Sequence, residues 1–396
     1  MSISAEPIRT SLRYFNHLTP DVMERLFLQP PQPFSDDDQR ERLAYALGAT
    51  LYVPGTRPDL PATITRRCAD GVRSMVIDLE DAVADDELET GLAQTVATLD
   101  ALAGTPAAGM LLFVRTRTAG DIRRLIDRLG PGVDTLTGFV VPKFTAESEP
   151  ALAAVADAGT YAGKHLYVMP VLESPELVYR ESRDAQLQAI SELLGRYRSH
   201  VLAARIGATD MCGVYGIRRD RDLTIYDVAV IAEAITGIVN YLGRQDDSGF
   251  TITGPVWEYF ADHERMFRPM LRTTPFAEND AVRFRQQLVS RDLDGLLREI
   301  ALDRANGIHG KTVIHPSHVA PVNALSAVTH EEYLDACDIT ASKAGGVRAS
   351  TYGNKMNEAK PHRIWAQQVL SRASVFGVTN QGITFVDLLT ELVTPS

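Results

Sequence analysis

Eight short apolar runs separated by longer helical stretches predict an α/β fold, in which eight parallel strands close into a (β/α)8 TIM barrel. The runs are rich in β-branched residues and apolar throughout, which is typical of strands buried on both faces. The predicted strands are residues 50–53, 74–79, 111–115, 138–141, 166–172, 202–206, 250–253 and 311–314. A doubly wound open sheet is the alternative, but Val53-Pro54-Gly55-Thr56 lacks the glycine-rich phosphate turn of that fold.

The composition is that of a globular protein with a large core. The chain has 396 residues, of which 45% are apolar and 23% are charged. Its 40 Lys and Arg against 51 Asp and Glu give a net charge of −11, which argues against nucleic acid but allows a local basic pocket for a small anion. The sequence has no disulfide or zinc spacing, no signal peptide and no apolar run of ~18 residues, so we expect a cytoplasmic protein without a membrane span.

A lead-in precedes the barrel at residues 1–48. Helical periodicity predicts one helix over 20–28 and a second over 39–47. Ser35 and Asp38 are N-cap candidates for the second helix. We therefore expect two short helices before the first strand.

Two further additions accompany the barrel, which is predicted to occupy residues 49–328. An insertion at about 257–300 lies on its rim, and residues 329–396 form a C-terminal helical extension with a loop at 341–353. The insertion is rich in arginine, which suits either a solvated helix with ion pairs or the binding of a phosphate, a nucleotide or an acidic partner surface. Its arginines include Arg265, Arg268, Arg272, Arg283 and Arg285.

Charged or polar residues follow nearly every predicted strand. The active site of a (β/α)8 barrel lies at the C-terminal ends of the strands, so these residues are the candidates for chemistry. In strand order they are Arg57, Glu80 and Asp81, Arg115, Lys143, Glu173, Asp210 and His315.

Two of these carboxylates stand at the ends of adjacent strands. Neighbouring strands lie ~4.8 Å apart, so Glu173 and Asp210 could share one hard cation such as Mg²⁺. Both also stand where helices begin, which leaves helix N-caps as the alternative. Glu80 and Asp81 add two acids to the same rim, unless one of them points to solvent or caps the next helix.

Two cations at the rim complement these acids. The planar fork of Arg115 suits a substrate carboxylate, and a structural salt bridge with Glu80 or Asp81 is the alternative. Lys143 either forms ion pairs or acts as a Schiff-base amine, and the surrounding acids favour ion pairs. His315 is interpreted as structural, and the sequence contains no serine-hydrolase elbow, Walker A loop or H-E-x-x-H zinc motif.

Seven short motifs at the strand ends carry a resemblance to one family. They are Leu51-Tyr-Val-Pro-Gly-Thr-Arg-Pro58, Asp78-Leu-Glu-Asp-Ala-Val83, Val114-Arg115, Val141-Pro-Lys143, Leu172-Glu173-Ser-Pro175, Ile206-Gly-Ala-Thr-Asp210 and Gly310-Lys-Thr-Val-Ile-His-Pro316. With them the chain resembles the citrate lyase beta subunit, HpcH/HpaI aldolase and malyl-CoA lyase group over roughly residues 51–323. It most resembles a bacterial subgroup of carbon–carbon bond lyases from stress- and tellurium-resistance gene clusters.

The resemblance implies a metal-dependent lyase or aldolase. Such an enzyme cleaves or forms a β-hydroxy acid or an acyl thioester, through a metal-stabilised enolate of a small 2-oxo acid or acyl unit. Glu173 and Asp210 match the ligands of the metal, which is Mg²⁺ or alternatively Mn²⁺, and coenzyme A thioesters are candidate substrates. Arg115 matches the substrate-binding arginine, and Arg57 in the first motif is assigned to substrate binding with it. A metal-dependent thioester hydrolase and a non-catalytic ligand-binding barrel are the alternatives.

The remaining catalytic assignments are also implied by the resemblance. Glu80 and Asp81 match acids that hold metal-bound water, and Lys143 is expected to orient acids. In the tail, Glu358 follows Gly353-Asn-Lys-Met-Asn357 and replaces the Asp of a family segment that reaches a neighbouring subunit's active site. If Glu358 keeps that role as an acid, the enzyme is a homo-oligomer, either a trimer or a hexamer.

Overall fold

The computed structural model describes residues 11–260, 291–342 and 346–393, and eight of its strands form one parallel sheet. These strands are β1 (Ala49–Pro54), β2 (Ser74–Asp78), β3 (Leu111–Arg115), β4 (Leu136–Val141), β5 (Tyr167–Leu172), β6 (Ala204–Ile206), β7 (Ile252–Thr253) and β8 (Lys311–Val313). Their order in the sheet is β7-β6-β5-β4-β3-β2-β1-β8. Each lies within a few residues of a predicted run, so the eight predicted strands are confirmed.

The two edge strands of this sheet also meet. Gly254, directly after β7, donates its N–H to the carbonyl of Gly310 at 3.2 Å, and its own carbonyl accepts from Thr312 at 3.1 Å. The sheet therefore curls into a barrel, as predicted.

Helices cover the outside of the barrel and connect its strands. They are Leu60–Ala69, Leu88–Leu102, Ala119–Arg128, Glu149–Ala162, Pro175–Val178, Arg180–Arg196, Ala208–Val214, Ala229–Leu242, Arg291–Ala305 and Val319–Ser326. Short 3₁₀ turns lie at Asp85–Glu87, Pro106–Gly109, Pro131–Thr135, Ile225–Asp227 and Pro316–His318. Among the helices that the structure describes, none is long and apolar enough to cross a membrane.

The helix Ala119–Arg128 shows how local sequence sets these elements. Thr118 and Asp121 form a capping box at its start, which satisfies backbone N–H groups that have no partner within the helix. Ile122, Leu125 and Ile126 recur at helical spacing and are buried on one face. Helical periodicity and capping therefore agree for this helix.

The lead-in departs from prediction at two points. Its first helix, Pro20–Leu26, ends two residues early because Phe27–Gln29 forms an antiparallel pair with Val378–Thr379 of the extension. The second helix, Arg40–Ala46, does not use the predicted cap. Its N-cap is Gln39 without a side-chain bond, and Asp38 forms an ion pair with Arg42 instead.

The C-terminal extension packs at the amino-terminal end of the barrel. It contains the helices His330–Ala341, Arg363–Phe376 and Phe385–Val393 and a hairpin of Val347–Ala349 with Met356–Glu358. The ring of Phe376 lies against Gly48, directly before β1, and 4.3 Å from the ring of Tyr14. The strands of the hairpin fall partly within the predicted loop 341–353. The extension therefore lies opposite to the end where the strands stop.

A buried network of charges ties β8 to the outer helices. The Lys311 ammonium contacts Glu299 at 2.9 Å and Asp303 at 2.7 Å, and each of these side chains is at most 3% exposed. Arg219 forms an ion pair with Glu299, and Tyr226 donates to Asp303 at 2.8 Å. Each buried charge in the network thus has an opposite charge beside it, which offsets the cost of desolvation.

Because of His318, the free energy of unfolding should depend on pH. Burial lowers the pKa of its imidazole from 6.5 to about 4. The unfolded chain therefore takes up a proton near pH 6.5 while the folded chain does not, so stability falls as pH decreases from about 6.5 to about 4. In His318→Asn we expect this fall to be smaller by roughly 2–3 kcal/mol. Urea unfolding at pH 7 and pH 4.5 measures the free energy of unfolding of each variant, with His330→Asn as the control. Equal pH dependence in wild type and His318→Asn contradicts the prediction.

Candidate active site

Arg115 is held in a fixed orientation at the end of β3. Asp78 is its register partner on β2 and binds the guanidinium through two hydrogen bonds, Nε to Oδ1 and Nη2 to Oδ2, both 2.6 Å long. The third nitrogen, Nη1, lies 2.9 Å from Glu80 and 3.2 Å from Asp81. Burial lowers the pKa of Arg115, but the hydrogen bonds and charge of Asp78 outweigh it and raise the pKa above its usual value. The salt bridge with Glu80 or Asp81, the alternative to substrate binding, is present, and it involves both acids.

Lys143 lies among the acids of the rim. Its ammonium forms an ion pair with Glu80 and lies 3.6 Å from Asp81. The contact with Glu80 raises the pKa of Lys143, so the amine stays protonated and has no free electron pair to attack a carbonyl. This geometry favours the predicted ion-pair role over a Schiff base.

The backbone of Lys143 supports a second contact. Its φ is +48°, a left-handed conformation that costs about 1–3 kcal/mol in residues other than glycine. The N–H of Lys143 donates to Oε1 of Glu173 at 2.8 Å. The strained residue therefore contributes both to the acidic cluster and to the orientation of Glu173.

Glu173 and Asp210 are placed by β5 and β6, which pair in parallel. The helix after Glu173 has Ser174 as its N-cap, the helix that contains Asp210 has Gly207, and neither has a side-chain cap bond. The alternative interpretation of the two acids as helix caps is therefore wrong. Gly207 leaves space for Glu173, because a Cβ at Gly207 would lie 1.9 Å from Oε2 and 2.6 Å from Cβ of Glu173.

The buried carboxyl of Glu173 and the nearby charge of Asp210 favour binding of a cation between them. Glu173 is 4% exposed, and burial raises the pKa of its carboxyl to about 8, with the charge of Asp210 adding to the effect. Burial also raises the pKa of Glu80, whereas Asp81 has a lowered pKa, because Glu80, Arg115 and Lys143 together outweigh the effect of its burial. A buried acid among like charges is stabilised by a bound cation.

The donor set suits a hard divalent ion. Carboxylates outnumber basic groups at this rim, where Asp78, Glu80, Asp81, Glu173 and Asp210 meet Arg115 and Lys143. Within the described residues, no group of three or more His, Cys, Asp and Glu side chains is arranged as a complete metal site. Mg²⁺ commonly takes one or two carboxylates and completes its shell with water and substrate oxygens, so Glu173 and Asp210 fit it.

Sequence reasoning missed several groups below and beside this rim. The ring of Tyr52 lies between the guanidinium carbons of Arg115, at 5.4 Å, and Arg205, at 5.5 Å. Arg205 is 1% exposed and donates to Thr312 at 2.6 Å. The sequence signal for this group was Arg205 itself, a charged residue inside the otherwise apolar run 202–206. Asp78 could have been identified from the sequence, because it is the last residue of β2. In the structure it lies opposite Arg115, the last residue of β3.

Two other predicted residues lie apart from the acidic cluster. The guanidinium of Arg57 turns back to Asp59 at 2.7 Å and is 44% exposed. The ring of His315 stacks on Phe260 with centroids 4.4 Å apart, and its Nδ1 bonds the hydroxyl of Ser317 at 2.6 Å.

The remaining predicted residues are in the extension and the insertion. Glu358 is exposed on the hairpin of the extension, at the far end of its own barrel. The arginines Arg265, Arg268, Arg272, Arg283 and Arg285 lie outside the described residues. In the structure, the part of the predicted insertion from residue 291 onward belongs to the helix Arg291–Ala305.

A barrel with clustered acids and oriented cations at the carboxyl ends of its strands defines a (β/α)8 enzyme. The model of the carbon–carbon bond lyases of the TIM-barrel fold matches residues 41–378, and the chain belongs to this family. The resemblance inferred from the motifs is thus confirmed, and the protein is a lyase.

The comparison with solved structures finds similar chains at low sequence identity. A citrate lyase from Burkholderia xenovorans is 14% identical with a TM-score of 0.59, and the match covers 88% of this chain and 96% of that one. The protein CitE from Mycobacterium tuberculosis, in complex with magnesium, acetoacetate and coenzyme A, is 20% identical with a TM-score of 0.49, covering 82% and 97%. No curated protein matched the sequence.

Proposed function

We propose that this lyase cleaves or forms a carbon–carbon bond in a β-hydroxy acid or its acyl thioester, with Mg²⁺ held by Glu173 and Asp210. The observation that carries the proposal is the buried Glu173 beside Asp210, at the ends of adjacent strands, in a rim where acids outnumber basic groups. A divalent ion at this position supplies Lewis acidity, which stabilises negative charge on the carboxylate and neighbouring oxygen of a 2-oxo or hydroxy acid. Mn²⁺ has the same ligand preference for oxygen.

Arg115 is the group that binds the substrate's negative charge. Asp78 engages Nε and Nη2, so the guanidinium needs no reorientation when substrate arrives. Nη1 faces the rim and is free to exchange its contacts with Glu80 and Asp81 for a substrate oxygen. Carbon–carbon cleavage leaves an enolate, and a preoriented cation stabilises such developing charge most effectively.

The proton transfers fall to the acids around Lys143. Cleavage requires a base that removes the proton of the β-hydroxyl group, and an acid that protonates the carbon afterwards. Glu80 is suited to exchange protons, because burial raises the pKa of its carboxyl. Lys143 and Arg115 hold Glu80 and Asp81 in place, so we assign Lys143 an orienting role.

Glu358 serves as the acid only if it comes from a second subunit. Its hairpin belongs to the extension, which packs at the amino-terminal end of its own barrel. The active site lies at the opposite end, so Glu358 does not reach the site of its own chain. The role proposed for Glu358 therefore requires a homo-oligomer, such as a trimer or a hexamer.

Calorimetric binding of pyruvate, glyoxylate and oxaloacetate, each with and without Mg²⁺, tests the proposal. We expect binding that needs both Mg²⁺ and Asp210 and is lost in Asp210→Asn, which removes a charge without changing the shape. Asp157→Asn, an exposed position on the helix Glu149–Ala162, is the matched control. Substrate binding that is equal with and without Mg²⁺, or unchanged in Asp210→Asn, contradicts the metal assignment. β-Hydroxyacyl thioesters whose cleavage would release a 2-oxo acid that binds are then assayed for that 2-oxo acid, whereas free thiol without it indicates a hydrolase.

A further inference from the structure

A cleft of about 480 Å³ opens at the amino-terminal end of the barrel, and we call it the basal cleft. Its walls come from the helix Arg40–Ala46 of the lead-in, from the segments before β6 and β7, and from the helix Arg363–Phe376 of the extension. None of the candidate active-site residues lines it. The volume is within the range of sites that hold small molecules, about 300–1,000 Å³.

Three arginines line the basal cleft. Arg40 forms an ion pair with Glu41, which is also in the wall. Arg198 and Arg244 form no salt bridge with a carboxylate in the described part of the chain, and Asp247 is the other acid of the wall. The cleft therefore has an excess of positive charge, although the chain as a whole is acidic.

Arg198 is fixed in place before any ligand arrives. Nη1 donates to the carbonyl of Gly249 at 2.9 Å, Nη2 donates to that of Ser248, and the guanidinium carbon lies 4.2 Å from the centre of the Phe250 ring. Two of its five N–H groups are used in this way, which leaves others for an anion. Burial, together with the charge of Arg40, lowers the pKa of Arg198. A bound anion would relieve the repulsion between these two guanidinium groups.

A tight loop brings the backbone of Arg244 close to Gly249, whose carbonyl Arg198 binds. A Cβ at Gly249 would lie 1.9 Å from the carbonyl oxygen of Arg244, so the loop 244–249 folds back closely on itself. The same Gly249 accepts from Arg198. Arg244 uses Nε for the carbonyl of Asn240, and both of its terminal nitrogens are available. Two arginines with open donors therefore line the same cleft.

We propose that the basal cleft binds a small phosphorylated molecule, whose phosphate lies between Arg198 and Arg244. Guanidinium groups bind phosphate oxygens bidentately, and the dianion matches two such groups better than a single carboxylate does. Gln367, Gln368 and Ser371 on the facing helix supply donors and acceptors for the remainder of the molecule. The ligand joins lead-in, barrel and extension, so it also stabilises their packing.

The site is tested with inorganic pyrophosphate as the probe, by calorimetry on the full chain in EDTA so that no divalent ion takes part. We expect one binding site per chain, with affinity reduced about tenfold or more in Arg198→Gln and in Arg244→Gln. Arg244 is exposed, so its replacement leaves the fold intact even if Arg198→Gln does not. Arg196→Gln is the matched control, because Arg196 ends the helix Arg180–Arg196 two residues before Arg198 but forms an ion pair with Glu149 outside the cleft.

The outcomes separate this site from the active site. Binding that persists in Asp210→Asn and Arg196→Gln but weakens in Arg244→Gln supports the basal cleft. Absence of binding to wild type at millimolar pyrophosphate overturns the proposal, as does equal affinity in Arg244→Gln and wild type. Binding that is lost in Asp210→Asn assigns the probe to the active-site rim and also overturns it. Thermal unfolding with and without pyrophosphate is the second readout, and we expect stabilisation of wild type but not of Arg244→Gln.

Discussion

Replacing Gly207 by alanine is expected to abolish metal-dependent substrate binding, although the change adds a single methyl group. The new Cβ would lie 1.9 Å from Oε2 and 2.6 Å from Cβ of Glu173, distances that real structures do not tolerate. Rotation of the carboxylate relieves only the first clash, so the ends of β5 and β6 must also move apart. Glu173 then leaves the position beside Asp210, and we expect affinity for Mg²⁺ to fall by about 100-fold or more.

Gly213→Ala is the matched control for this prediction. Gly213 belongs to the same short helix, Ala208–Val214, and a Cβ there would meet nothing within 4 Å. Mg²⁺ titration followed by calorimetry compares the two variants with wild type, and circular dichroism checks that each is folded. If Gly207→Ala binds Mg²⁺ as wild type does, Glu173 is not a ligand in the position described.

Replacing Lys311 by methionine is expected to destabilise the barrel by about 3–5 kcal/mol. Lys311 is 1% exposed and is the basic partner of both Glu299 and Asp303, so its loss leaves a buried negative charge without compensation. Arg219 still neutralises one of the two acids. Urea unfolding at pH 8 measures the change in the free energy of unfolding, and Lys360→Met at an exposed position is expected to change it by less than about 0.5 kcal/mol.

The pH dependence separates lost charge from lost packing in this variant. Burial raises the pKa of Asp303 to about 6 even with Lys311 present. Without Lys311 the folded chain should bind a proton at still higher pH than the unfolded chain, so acidification favours folding. The deficit of Lys311→Met relative to wild type should therefore be smaller at pH 5 than at pH 8. An equal deficit at both values means that packing, not charge, accounts for the loss.

The sequence predicted the barrel well because its strands are buried on both faces. Such strands must be apolar at every position, so each appears as a continuous run that needs no knowledge of its partners. The lead-in was predicted less well, since local periodicity alone does not reveal that Phe27–Gln29 pairs with Val378–Thr379. Asp38 illustrates the same limit, because a side chain suited to a cap took Arg42 as its partner.

The candidate site was predicted as a set of residues but not as a set of contacts. Glu80, Asp81, Arg115, Lys143, Glu173, Asp210 and other candidates were identifiable because parallel strands place their carboxyl ends at one edge. Arg57 was selected by the same rule, yet its guanidinium turns to Asp59. A position after a strand therefore indicates which end of the barrel a residue occupies, and not where its side chain points.

The order of the apolar runs and of the polar residues after them determined the fold and the end of the barrel that carries the chemistry, and the resemblance of the motifs to a known family indicated the class of enzyme. The tertiary structure alone decided which acid holds which cation, above all the bidentate pair of Asp78 and Arg115. It also decided that the extension packs at the amino-terminal end, where it completes the basal cleft. The physical reason is that burial acts on each residue separately, whereas pairing depends on strand register and on contacts between residues far apart in the chain.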